Sequence, residues 1–181
     1  MDKISENIKW DSLIGYKQTE QKEWTREGII LKWRNLIKAG IEIYKHTGFI
    51  DPILVAFCKN RDSMILPIPD FGLNNEAIGT LMKEALVKQN ALSIFMSCQG
   101  QFVTPNNLKG PNNFKAILFL GQLRSHYGIE TFISTAKIHK DKLEDPSELK
   151  FDNSAAGLLC DFLPAIGPQI RDINILRVKY E

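Results

Sequence analysis

Apolar side chains recur every three or four residues between Trp24 and His46, which is the spacing of one face of an α-helix. The stripe is wide, and its members are large apolar residues and one glycine: Ile29, Ile30, Trp33, Leu36, Ile37, Gly40, Ile41 and Tyr44. Gly48 follows the last turn, at the position where a left-handed cap is expected. The pattern therefore predicts a long amphipathic helix that ends near His46.

The next apolar run is short and reads as one arm of a hairpin. Ile53–Cys58 is continuously apolar, and its length favours a strand over a helix. Residues 60–62 supply a turn, and residues 63–68 predict the return arm. Pro67 and Pro69 cannot donate a backbone hydrogen bond, so we expect the end of that arm to lie at a sheet edge.

A second helical stripe and three further strands follow. The helix begins at Asn74 or Asn75 and runs to Gln89. The strands are predicted at 91–99, which alternates apolar and small residues, at 114–123, which is apolar on both faces, and at 129–139. A polar loop at 100–113 and a turn at 126–128 connect them. Beyond a charged connector at 140–153, a short helix is predicted at 154–163 and a short strand at 173–180.

This order of elements predicts an α+β fold. We expect a mostly antiparallel sheet of about five strands with two main helices on one face, plus terminal extensions. The stripe of the first helix is expected to pack on Leu92, Ile94 and Met96 of the sheet. Residues 1–22 are interpreted as an N-terminal extension and residues 23–181 as a single domain. Within that domain the core is predicted at 24–139, followed by a C-terminal segment at 140–181.

The stretch from Trp24 to His139 resembles a loose group of small bacterial and phage α+β proteins. The shared features are a leading helix that ends in a His/Gly turn, here His46-Thr47-Gly48, and an apolar hairpin that ends near a proline, here Ile53 to Pro67. An amphipathic helix, an apolar strand of the kind seen at Ala91–Ser97, a proline-containing loop and a second hairpin then follow. The resemblance implies the fold and carries no activity to transfer.

Composition and charge exclude several classes of function. The chain has 181 residues, of which 44% are hydrophobic and 24% charged, as is usual for a globular protein. The net charge is only +2, and the basic residues are dispersed, which argues against nucleic acid as a partner. The polar residues 1–6 lack the apolar part of a secretory signal, and no apolar stretch reaches the roughly 20 residues of a membrane span. We expect a cytoplasmic protein without a membrane partner.

The chemistry-bearing residues form no recognised motif. The cysteines are Cys58, Cys98 and Cys160, and neither they nor the three histidines have metal-ligand spacing. We therefore predict no catalytic motif, no metal site and no cofactor. For a small-ligand site the candidates are Lys109 in the polar loop, His126 and His139, because folding of the second hairpin can bring the two histidines together.

Two functions stay open at this point. The first is a non-catalytic protein-interaction module of a bacterium or phage, with a protein partner or with self-association as a homodimer. Its interface candidates are Trp10 in the extension, and Phe95 and Phe119 on the sheet face that the helices leave open. The alternative is an enzyme or small-ligand-binding protein whose site surrounds the 99–113 loop, His126 and His139. We favour the first, because no catalytic motif is present and two strands carry apolar residues on their second face.

Overall fold

The computed structural model describes residues 24–59, 61–68, 75–104, 112–140, 142–152, 163–165 and 167–170. These residues form two helices and seven strands: α1 (Arg26–Thr47), β1 (Ile53–Cys58), β2 (Arg61–Pro67), α2 (Asn75–Lys88), β3 (Ala91–Thr104), β4 (Asn112–Ser125), β5 (Gly128–His139), β6 (Lys142–Leu143) and β7 (Lys150–Phe151). The predicted extension at 1–22 and the predicted strand at 173–180 lie outside the described residues. Of the helix predicted at 154–163, only Leu163 is described.

The strands form one antiparallel sheet in the order β2-β1-β3-β4-β5-β6, and β7 also pairs with β5. The α+β class and the mainly antiparallel sheet are therefore confirmed. The expected number of about five strands was too low. Two short pieces of the charged connector, residues 142–143 and 150–151, pair with β5 and extend the sheet.

Local sequence determines both ends of α1. The hydroxyl of Thr25 accepts a hydrogen bond from the backbone N–H of Gly28 at 3.1 Å, which is a normal N-cap. At the other end Gly48 has φ of 71°, and its N–H donates to the carbonyl of Tyr44. The predicted left-handed glycine cap is thus confirmed. No helix among the described residues is long and apolar enough to cross a membrane.

One face of the sheet, called the front face here, lies under α1. The buried stripe of the helix packs on side chains of the four central strands: Val55, Phe57, Phe95, Ile117, Phe119, Leu123 and Phe132. At the centre Trp33 is fully buried, and its ring lies 5.5 Å from that of Phe132. Gly121 makes room for the indole, since a Cβ at that position would lie 2.6 Å from Trp33 Cε3.

The opposite face, called the back face, lies under α2. Met82 and Leu86 of α2 are buried in a second cluster with alternate residues of the same strands: Leu54, Ala56, Ile94, Met96 and Leu120. The prediction of both helices on one face is therefore wrong for the side chains that the structure describes. The physical reason is that the central strands are apolar on both faces, and each face is buried by its own helix.

The orientation of β3 was also predicted wrongly in part. Of the three residues expected to pack on α1, Leu92 lies in the cluster under α1, but Ile94 and Met96 face α2. Phe95 faces α1 instead. Residues 91–97 are all buried, so alternation of apolar and small residues does not distinguish the two faces. The loop predicted at 100–113 is shorter, because β3 and β4 continue as paired strands to Thr104 and from Asn112.

A segment near the C-terminus joins the two faces. This C-terminal strap, residues 163–165 and 167–170, places Leu163 in the back cluster and Ile170 in the front cluster. Two polar side chains of β4 hold it: Leu163 N–H donates to Gln122 Oε1 at 3.2 Å, and Arg124 donates to strap carbonyls. The strap therefore passes around one end of the sheet and connects both hydrophobic clusters.

The Arg124 guanidinium is buried and bonds to backbone carbonyls. Nε donates to Pro164 O at 3.0 Å, and Nη2 donates to the same oxygen. Nη1 donates to Ala91 O at 2.9 Å and to Pro168 O at 2.8 Å. Burial lowers the pKa of the guanidinium from its usual value, although arginine stays charged at neutral pH. One side chain thus connects β4, β3 and the strap.

The position of α1 is tested by placing a charge in its buried stripe. Ile37 is 6% exposed in the front cluster, so Ile37→Asp buries an unpaired carboxylate. We expect the free energy of unfolding to fall by about 3 to 5 kcal/mol, measured by chemical denaturation. Asn35→Asp is the control, because Asn35 is exposed on the same helix and should change stability by less than about 0.5 kcal/mol. Equal stability of the two variants would contradict the packing of α1.

Candidate functional site

The two histidines proposed for a ligand site lie at opposite ends of β5. His126 is exposed in the turn before the strand, beside Tyr127, and His139 is the exposed last residue of the strand. At about 3.3 Å per residue, their separation along the strand is about 40 Å. The expectation that the hairpin brings them together is therefore wrong. Lys109 lies outside the described residues, so its position relative to either histidine is not described.

The interface candidates on the sheet are buried inside the protein. Phe95 and Phe119 are 1% and 0% exposed, and their rings stack at 6.2 Å beneath α1. They belong to the front cluster and are not available to a partner, which corrects the prediction of an open apolar face there. Trp10, the third candidate, lies outside the described residues.

The cysteine thiols that the structure describes are also poorly placed to act as nucleophiles. Cys58 is fully buried on the back face. Burial raises the pKa of the Cys98 thiol to about 11, which keeps it protonated and unreactive at neutral pH. In the part of the chain that the structure describes, no group of three or more His, Cys, Asp or Glu side chains is placed to hold a metal ion.

The Cys98 assignment gives a simple labelling prediction. Because its pKa is raised to about 11, the thiolate fraction at pH 8 is far smaller than for an ordinary thiol of pKa near 8.5. We expect iodoacetamide to label Cys98 at least tenfold more slowly in the native protein than in the protein unfolded in guanidinium. Peptide mass spectrometry separates Cys98 from the other cysteines. Equal rates in both states would contradict the burial.

A shallow cavity of about 360 Å³ lies where α2 meets the strap. Its lining is formed by Thr80, Lys83, Glu84, Val87, Lys88 and Pro164. Most of this lining is about two and a half turns of a single helix, on which Glu84 and Lys88 are exposed. The cavity therefore marks the junction of α2 with the strap, and we assign it no ligand.

The two long edges of the sheet differ sharply. The edge beside β5 is formed by residues 142–152, which pair only in short pieces and carry six charges and a proline: Lys142, Glu144, Asp145, Pro146, Glu148, Lys150 and Asp152. Further single bonds, such as Ser147 N–H to Thr135 O at 2.8 Å, hold this segment against β5. Interruption, charge and proline are the usual means by which proteins prevent an edge from pairing with another chain.

The edge at β2 has fewer of these protections. Residues 63–66 read Ser-Met-Ile-Leu and carry no charge, and all four are half-buried. Met64 and Leu66 pack against the back cluster, whereas Ile65 packs against the front cluster. Among the described residues no strand pairs with the outer side of β2. This edge is therefore apolar on both faces and open along its backbone within the described part of the chain.

The register determines which backbone groups of β2 point outward. Ile68 N–H donates to Pro52 O at 3.1 Å, and the pairs Leu54–Leu66 and Ala56–Met64 continue in steps of two. In an antiparallel ladder, hydrogen-bonded pairs alternate with pairs that point away. Hence Ile65 directs its N–H and C=O groups away from β1. The register shifts by one residue between the pairs Ala56–Met64 and Cys58–Arg61, so this alternation ends before Ser63. Pro67 also faces away from β1, so the N–H group that proline lacks is not needed for a hydrogen bond to β1.

The prediction that Pro67 lies at a sheet edge is thus confirmed by the topology. The outer side of β2 was not among the predicted sites, although Pro67 and Pro69 indicated that this arm ends at a sheet edge. Comparisons with protein-family models, curated proteins and solved structures find no match to this chain. The resemblance to small bacterial and phage proteins stays a prediction.

Proposed function

We propose that this protein acts by association with another polypeptide, and that β2 receives a strand of its partner. The observation that supports this most directly is the outer side of β2, where Ile65 presents a backbone donor and acceptor beside the uncharged side chains of residues 63–66. A partner in extended conformation satisfies these groups by strand addition. Backbone hydrogen bonds supply affinity in this mode, and alternate side chains supply specificity.

The contrast between the edges supports the proposal further. The edge beside β5 is interrupted and carries charged residues, whereas the edge at β2 carries no charge over residues 63–66. An uncharged apolar stretch of edge is a hazard for aggregation unless it has a partner. For the enzyme alternative, the described candidates His126 and His139 lie at opposite ends of β5, so the described part of the chain supports association better.

A variant of Ile65 tests this proposal with little disturbance to the fold. Ile65→Pro removes an outward N–H, and the bonds between β2 and β1 stay in place because they involve Met64 and Leu66. The residue before a proline prefers extended backbone, which Met64 already adopts in β2. Ile65→Val is the matched control, because it keeps the N–H and a β-branched side chain.

The probe is a displayed library of random linear peptides, selected on the immobilised wild-type protein. We expect enriched peptides to be rich in uncharged aliphatic residues, and to bind Ile65→Pro at least tenfold more weakly than wild type. One lost hydrogen bond together with the clash of the ring accounts for that factor. Ile65→Val should bind within about threefold of wild type. Failure to enrich peptides, or equal binding to a folded Ile65→Pro variant, would contradict the proposal.

A further inference from the structure

We infer that the strand received by β2 is β2 of a second copy of this chain, in an antiparallel two-fold pair with Ile65 opposite Ile65 of the second copy. This inference rests on the proposed function and specifies its partner. In this arrangement the two sheets continue into one another. A two-fold pair is closed, so it stops at a dimer and does not extend into a fibre.

The side chains around the edge restrict the kind of partner. Ile65 lies on the front face against the cluster under α1, and Met64 and Leu66 lie on the back face against the cluster under α2. A strand that is polar on one face would set polar groups beside one of these clusters. The partner strand must therefore be apolar on both faces, and β2 itself meets that requirement at 64–66. In any solution of the protein, other copies of the chain are also available as partners.

The register follows from which residues face one another. With Ile65 opposite itself, the two isoleucines meet on the front face, and each Met64 meets a Leu66 on the back face. The two Ile65 residues then exchange both backbone hydrogen bonds, since both point outward. Centring the pair on Met64 instead would set Leu66 opposite residue 62, an aspartate, which is unfavourable for an apolar side chain.

Pro67 limits the length of the pair. It falls opposite Ser63, and its ring nitrogen has no hydrogen to donate across the pair. At Ser63 the regular register of β2 with β1 also ends. The pair is therefore confined to residues 63–67 of each chain. So short a contact lies at the low end of specific interfaces, and the dimer should dissociate on dilution.

Disulfide cross-linking tests both the partner and the register. In the Ile65-centred pair, Ile65→Cys places two thiols directly opposite one another, within the distance that a disulfide spans. Met64→Cys is the matched control, because the two introduced thiols would then lie diagonally, near or beyond that distance. We expect mild oxidation at high concentration to give at least tenfold more covalent dimer with Ile65→Cys, with the 65–65 link identified by mass spectrometry.

Sedimentation equilibrium on the unmodified chain accompanies the cross-linking. The inference predicts a mass that rises from monomer to dimer as concentration rises from micromolar to millimolar, and a loss of this rise in Ile65→Pro. A chain that stays monomeric at millimolar concentration, or a preference for the Met64→Cys cross-link, would overturn the inference. If the chain stays monomeric but selected peptides still bind at Ile65, the inference fails and strand addition stands. If neither occurs, both fail.

Discussion

Replacing Arg124 by methionine is expected to lower the free energy of unfolding by about 3 to 5 kcal/mol, as much as a charge at Ile37. The variant loses four hydrogen bonds from the guanidinium to Pro164 O, Ala91 O and Pro168 O. Methionine has a similar length but no donor, so these carbonyls lose their partner in a buried region. Chemical denaturation measures the change.

Two further variants make the Arg124 prediction specific. Arg124→Lys keeps the charge, but one ammonium cannot reach three carbonyls in the plane of the guanidinium, so we expect it to recover only part of the loss. Arg34→Met makes the same exchange at an exposed position on α1 and should stay within about 0.5 kcal/mol of wild type. Amide exchange of Ile170, whose N–H bonds to Arg124 O at 2.9 Å, should accelerate in Arg124→Met. Full stability of that variant would contradict the role of Arg124.

Adding one methyl group at Gly121 is also expected to destabilise the protein. A Cβ there would lie 2.6 to 2.8 Å from three ring carbons of Trp33, and the ring is fully buried between α1 and the sheet. Either the indole or the strand must shift, and such overpacking costs about 1 to 3 kcal/mol, which we expect for Gly121→Ala in thermal or chemical unfolding.

The same exchange at Gly79 provides the control. Gly79 lies inside α2, and a Cβ there meets no atom within 4 Å. Gly79→Ala should therefore stabilise the protein by about 0.5 to 1 kcal/mol, the difference in helix propensity. In a Trp33→Leu background, Gly121→Ala should cost at least about 1 kcal/mol less than in the wild type, because the ring is absent. Strictly additive effects would show that Gly121 and Trp33 do not compete for the same space.

The elements of this fold were largely predictable from sequence, because their signals are local. The stripe of α1 with its Gly48 cap, and the continuous apolar run of β1, each depend on residues close together in the chain. The charged connector after His139 was harder to interpret. Its polar composition indicated a loop, but in a sheet the same composition is also typical of a protected edge.

The sequence did not predict which residues of each strand face which helix. The interface predicted at Phe95 and Phe119 was wrong for that reason. Over residues 91–97 of β3 both alternating sets are buried, so the sequence of that strand does not state which set meets α1. Once both helices were placed on one face, Phe95 and Phe119 were assigned to an open surface. The charge of Arg124 beside an apolar strand was a signal for an unusual site. The carbonyls that it binds are 33 to 44 residues away in the chain, beyond the reach of any local pattern.

Amide hydrogen exchange along β2 is the most direct test of the proposed association. In dilute solution the account predicts slow exchange at Met64 and Leu66, which bond to β1, and fast exchange at Ile65, which points outward. As protein concentration rises, the Ile65 amide should become protected while the exchange of Met64 stays unchanged. Exchange at Ile65 that is slow even at the lowest concentration, or fast at every concentration, would contradict the account.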